Sequence, residues 1–290
     1  MKKKRRRIKL ILLLLAMALA SVALLGFSLL KRTPDYYVMM VLSPEQQEAA
    51  AQRAEDTITR MQNLAAAARG AEIRASTNPT ARVTREGTTF SFTQDELNAL
   101  FAKWSEKFKW RDSYGQYLTD PVIILQSNRM ILAGRVKVRD IDSIVSFHFV
   151  PKIDEKNLLD LNLIAVRGGN LPLPENFLMS PLRAHLKRKL EPRVPVWQAA
   201  AKLDQHGGVN DDMMKLAMAR LVVNVLQEQP AENVIFLPVF QENRRVPAFL
   251  SDVKVTEGEM QFTVFPMNAT QRNDLLTHLK EPIDFAKLDQ

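Results

Sequence analysis

The chain has 290 residues, enough for one or two domains with real cores, and a formal net charge of +8. Nine of its 40 basic residues lie in the first 32 positions, where no acid occurs, which leaves 31 basic against 32 acidic residues in the remainder. The charge therefore belongs to the N-terminus, and a nucleic-acid-binding domain, which needs a basic face, loses its support. With no Cys, disulfides, thiolate metal sites and cysteine nucleophiles are excluded.

Residues 1–9 form a basic tail, Lys2 to Lys9. Leu10 to Leu30 then carries no charge and is rich in Leu and Ala. As a helix it would be roughly 31 Å long, close to the hydrocarbon thickness of a bilayer. The basic flank favours the cytoplasm, so the span predicts a single-pass cell-membrane anchor. Everything after Lys31 would be extracytoplasmic. A cleaved signal peptide is the competing reading, since Ala18-Leu19-Ala20 fits a small-residue cleavage site. Val22 to Leu30 stays apolar past that site, which favours an uncleaved anchor. Tyr36 and Tyr37 then sit where aromatic residues favour the membrane interface.

Residues 31–80 read as a linker and a long helix. Ser43-Pro44-Glu45-Gln46 gives an N-cap, a Pro at the first helical position and a capping-box partner. The helix is expected to end at Arg69, before Gly70. Ala51, Ala54, Ile58, Met61, Ala65 and Ala68 form a heptad-like seam. It serves either packing against the protein's own domain or a homodimeric coiled coil.

Residues 81–290 read as an extracytoplasmic α+β domain. Thr88 to Phe92 is a short strand. Thr93 and Glu96 form a capping box for the helix that follows, with Phe92 and Leu97 as a staple. Leu97, Leu100, Phe101, Trp104 and Phe108 share one helical face. Four strands follow between Pro121 and Pro174, separated by polar turns. Leu132, Val136, Phe147 and Phe149 alternate with more polar neighbours, so one face of this meander is expected to be apolar. Such a face must be covered, and the Leu97–Phe108 helix is the candidate cover. Leu171-Pro172-Leu173-Pro174 is stiff and extended. A helix is expected from about Pro181 to Leu190. Its Arg183, Lys187, Arg188 and Lys189 suit either solvent or an anionic membrane surface. A helix from Met213 to Gln227 is apolar nearly all round, which predicts burial. Val234 to Phe240 and a hairpin around Glu257-Gly258 return to strands that would complete the sheet. Asn268 or Thr270 starts a last short helix.

The four His residues lack metal-ligand spacing, and no phosphate-loop, dinucleotide or nucleophile-elbow motif occurs. No metal or cofactor is expected. Asp140 and Asp142 flank a turn and read as solvated.

The capped segment Phe92 to Leu100, a meander containing Gly134, and Gly169-Asn170-Leu171-Pro172-Leu173-Pro174 before a helix resemble the YpmS-like family of bacterial single-pass membrane-anchored proteins. The order also resembles the wider TULIP-like group. That likeness implies an N-terminal transmembrane helix, then a domain whose curved antiparallel sheet packs on helices and holds a lipid chain. It implies no functional residue with a defined role. The expectation is a membrane-anchored, non-enzymatic envelope protein with a lipid or other apolar chain between sheet and helices. The walls would be Leu97, Phe101, Trp104, Phe108, Leu132, Val136, Phe147 and Phe149. The alternative is a scaffolding module of a membrane protein complex; an enzyme built from distant carboxylates is a third reading.

Overall fold

The computed structural model describes residues 28–37, 42–77, 87–107, 118–138, 141–204, 208–238 and 245–289. Among them no helix is long and apolar enough to cross a membrane. The predicted Leu10–Leu30 span lies outside the described residues except for its last three, and so does Phe108. The fold is α+β, with curved antiparallel sheets packed on helices.

Helix α1 (Pro44–Thr77) begins at the expected capping box, in which Gln46 N donates to Ser43 Oγ (3.2 Å) and Ser43 N to Gln46 Oε1 (2.9 Å). It runs eight residues past the expected end at Arg69. One Gly in a helix interior costs only about 1 kcal/mol, so Gly70 does not stop it. The seam of α1 packs inward: Ala51, Ala54 and Ala65 are buried in the protein's own core.

Strand β1 (Thr88–Thr93) leads into α2 (Gln94–Lys107), and the Thr93–Glu96 capping box is present in both directions. The meander follows as β2 (Thr119–Gln126), β3 (Arg129–Val138), β4 (Ile141–Ile153) and β5 (Leu158–Gly168), in spatial order 2-3-4-5. Short strands β6 (Leu171–Pro172) and β7 (Ala231–Glu232) add to β5. Strands β8 (Val234–Pro238), β9 (Arg245–Thr256) and β10 (Glu259–Pro266) do not complete this sheet, contrary to expectation. They form a second sheet, ordered β1-β10-β9-β8. The cause is β1, whose Phe90 and Phe92 register with Phe262 and Met260.

This second sheet takes α1 and α2 on one face. Phe92, Leu100, Trp104, Ile58 and Phe262 pack together there. The two sheets meet at their hairpin turns, where Gly258 N donates to Leu125 O (3.0 Å) and Asn128 N to Val255 O (2.9 Å).

Helix α3 (Glu175–Leu190) starts earlier than expected and carries Pro181 inside it. Packing of Leu182, Leu186 and Leu190 into the helical core offsets the hydrogen bond that Pro181 cannot donate. Helices α4 (Val194–Ala200), α5 (Asp211–Leu226) and α6 (Ala269–Leu279) complete that core. Asn210 caps α5, and a capping box of Asn268 with Gln271 starts α6. Met213, Leu216 and Val223 of α5 are fully buried, but Met218 is exposed, so α5 is not enclosed on every side. Phe147 and Leu163 of the meander and Val234, Phe236 and Phe249 of the second sheet also pack into this core.

Candidate functional site

The meander has two faces of different character. Register puts Val122, Ile124, Ile131, Ala133, Ile144, Ser146 and His148 on one face, and Ile123, Met130, Leu132, Val145, Phe147 and Phe149 on the other. The first face, expected to be the polar one, is the more deeply buried. Ile131 and Ser146 are wholly buried and His148 is 1% exposed, whereas Leu132 on the second face is 39% exposed. A strand covered on both faces carries apolar residues at consecutive positions, so alternation alone ranks its faces poorly.

The cover of the first face is the segment just after the predicted span. Pro34 and Tyr37 are buried and Tyr36 is half-buried against the strands. Tyr37 OH donates to Asp120 O at 2.9 Å. Burial, then the charge of Asp120, raises the Tyr37 phenol above its ordinary value. Tyr36 OH meets Ser146 Oγ at 2.7 Å, and Ser146 Oγ meets His148 Nε2 at 3.1 Å. The rings of Tyr36 and His148 stand edge to face, 5.2 Å between centroids. Burial, followed by the charges of Arg167 and Arg129, lowers the His148 pKa to about 4. Both tyrosines, expected at the membrane interface, bind the sheet.

A turn anchors this strap. Residues 28–31 are helical, and Asn170 N donates to Leu29 O at 2.9 Å. Ser143 Oγ donates to Leu30 O at 2.6 Å. Gly169 has a left-handed backbone (φ +56°), and a Cβ there would collide with the carbonyl oxygens of Leu29, Leu30 and Arg32. The Leu30 side chain lies over Gly168, at the end of the second, more open face.

The expected cover of the open face is elsewhere. Thr93 joins α2 directly to β1, so α2 goes with the second sheet. Leu97 and Trp104 pack with Phe92 and Phe262. Phe101, on the same helix, is half-buried. Helix α2 meets the meander at its edge only. Asn98 Nδ2 donates to Ile123 O and Ile123 N donates to Asn98 Oδ1, both at 2.7 Å, and Leu125 N donates to Gln94 Oε1 at 2.8 Å. Two amide side chains thereby satisfy an edge strand as a neighbouring strand would. Leu132, Val136, Phe147 and Phe149 do share the open face, but the structure does not bring them together with Leu97 and Trp104. An open cleft of about 410 Å³, lined by Phe249, Phe265 and Gln271 among others, includes none of the eight expected wall residues.

The four basic residues of α3 also separate. Arg183 turns inward: its Nε donates to Leu226 O at 2.9 Å, at the C-terminus of α5, and its Nη2 lies 3.6 Å from Glu228. Lys187 is half-buried; Arg188 and Lys189 are exposed. Among the described residues no cluster of acidic or His side chains could hold a metal ion. Sequence reading missed the Tyr36–Ser146–His148 chain. Its one signal was the i, i+2 spacing of Ser146 and His148, which puts both on one strand face.

The chain matches no protein-family model, no curated protein and no solved structure.

Proposed function

We propose that this is a membrane-anchored, non-enzymatic envelope protein that holds a lipid or other apolar chain on the open face of its meander. One observation carries the reading. Leu132, Phe147 and Phe149 are only partly covered, and the end of that same face receives Leu30, the last residue of the predicted span. A half-open apolar face beside the end of an apolar segment suits a ligand that leaves a bilayer. The likeness to the YpmS-like and TULIP-like groups belongs to this proposal, as do the single-pass anchor and the extracytoplasmic side.

The test uses the full chain purified in detergent. Mass spectrometry should find co-purifying lipid, and a fluorescent fatty acid should bind and be displaced by phospholipid. Leu132→Asp should abolish that binding while the melting temperature holds. Absence of lipid together with unchanged probe binding in Leu132→Asp would overturn the reading. A second reading, a module that docks a partner protein, draws on Val196 and Met218. They lie on the packed helices α4 and α5 and are 65% and 51% exposed. Cross-linking at these two positions to a membrane protein, with no lipid bound, would favour it.

A further inference from the structure

The closed face of the meander carries a second feature, on the opposite side of the sheet from the half-open apolar face and independent of it. Arg129 opens β3, His148 lies one strand over, and Arg167 lies on β5 opposite Ser146. All three share the strap-covered face. His148 is buried, yet its Nδ1 has no hydrogen-bond partner. The Nε of Arg167 is likewise buried and unpartnered. Neither guanidinium has an ion-pair partner among the described residues. The acids that share this face are engaged elsewhere: Asp160 pairs with Lys152 at 3.2 Å, and Asp142 with Arg135 at 3.0 Å.

The hydrogen-bond chain bears on what His148 presents. Its geometry allows either direction; we take the one in which the phenol, the stronger acid, donates to Ser146, and Ser146 O–H donates to Nε2. The ring proton of the neutral imidazole then sits on Nδ1, which becomes a donor. Three donor groups therefore share one face, two of them cationic, and neither His148 Nδ1 nor Arg167 Nε has an acceptor among the described residues. Strand spacing places the Arg129 and Arg167 Cα atoms roughly 16 Å apart on either side of His148. Both guanidinium charges act on the His148 ring between them. Guanidinium forks match phosphate oxygens, and a neutral Nδ1–H adds a third donor.

We propose that Arg129, Arg167 and His148 Nδ1 form a binding site for a phosphate group, carried by an anionic lipid headgroup or free in solution. Tyr36 sets the tautomer and closes one side, so the site is complete only while the strap lies on the sheet.

The test is histidine ¹⁵N spectroscopy on the full chain in phosphatidylcholine nanodiscs, with His148 assigned by its loss in His148→Gln. Inorganic phosphate should shift the His148 Nδ1 resonance and saturate, or phosphatidylglycerol in the disc should do so. A response to phosphate in neutral discs identifies free phosphate. A response only to phosphatidylglycerol identifies the headgroup. The double variant Arg129→Gln/Arg167→Gln should weaken the response at least tenfold, while the Lys/Lys pair keeps part of it. If the Gln pair fails to fold, each single Gln variant should weaken binding at least threefold. A resonance that moves with neither phosphate nor phosphatidylglycerol overturns the proposal, as does an undiminished response in the folded Gln variants.

Discussion

The two faces of the meander are built from the same four strands and secured in different ways. The closed face carries small and medium apolar residues plus a chain of hydroxyls and an imidazole. Residues from far upstream cover it: Tyr36 bonds Ser146 across 110 positions. The open face carries the larger side chains Leu132, Phe147 and Phe149, and the helical core covers it only in part. Size and hydrophobicity therefore did not decide which face was sealed. The path of the chain after the predicted anchor did.

Truncating one neighbour on each face should separate the two most clearly. Ile131 and Leu132 are adjacent, with Ile131 wholly buried and Leu132 39% exposed. Ile131→Ala should cost about 2–5 kcal/mol, the range for truncating a buried aliphatic residue. Leu132→Ala should cost about 1 kcal/mol or less, as at most partly exposed positions. Denaturant midpoints of the two variants check this. Equal costs would mean that both faces are sealed.

Acid should find the closed face first. His148 has a pKa near 4 in the fold, against about 6.5 for an unperturbed imidazole. The unfolded chain therefore binds the proton more readily. The fold keeps its full stability above about pH 6.5 and loses it as pH falls towards 4, by on the order of 3 kcal/mol. Unfolding midpoints at pH 7.5 and 4.5 should show the loss. His148→Gln should flatten most of that slope, leaving the part due to carboxylates.

Much of the local structure was legible before the fold was known. Alternating residues marked the four meander strands, and Ser43, Thr93 and the pair Asn268 or Thr270 marked three helix starts, because caps and strand periodicity are local physics. Long-range pairing was not legible. Nothing near β1 reveals that Phe90 will register with Phe262, so α2 was assigned to the wrong sheet. The candidate site suffered for the same reason. Its expected walls come from two elements that meet at one edge strand, and the partner of Tyr36 lies in a strand far downstream. Gly70 and Pro181 misled in the opposite sense: α1 runs on through Gly70, whose cost is small, and α3 begins before Pro181, where packing of Leu182, Leu186 and Leu190 offsets the lost hydrogen bond.

The edge between the two faces offers a smaller test. Asn98 is 6% exposed and supplies both a donor and an acceptor to Ile123 of β2. Asn98→Ala leaves both backbone groups without those partners, at a cost of about 1–3 kcal/mol. The Ile123 amide should also exchange with solvent faster than the amides of β4. Unchanged exchange would mean that α2 does not guard this edge.

The smallest expected effect lies in the strap. Tyr36→Phe removes the phenol oxygen and keeps the ring that stands against His148. A single hydrogen bond of this kind contributes about 0.5–1.5 kcal/mol. The more telling readout is the tautomer. With Tyr36 donating, Ser146 accepts a hydrogen bond and donates its own to Nε2, which keeps the imidazole proton on Nδ1. Without it, Ser146 Oγ is free to accept instead, and the proton can move to Nε2. Histidine ¹⁵N shifts should therefore show a change in the Nδ1 and Nε2 populations of His148, with little change in melting temperature. A large stability loss with an unchanged tautomer would mean that the strap acts by packing alone. The closed face would then differ from the open one only in what covers it.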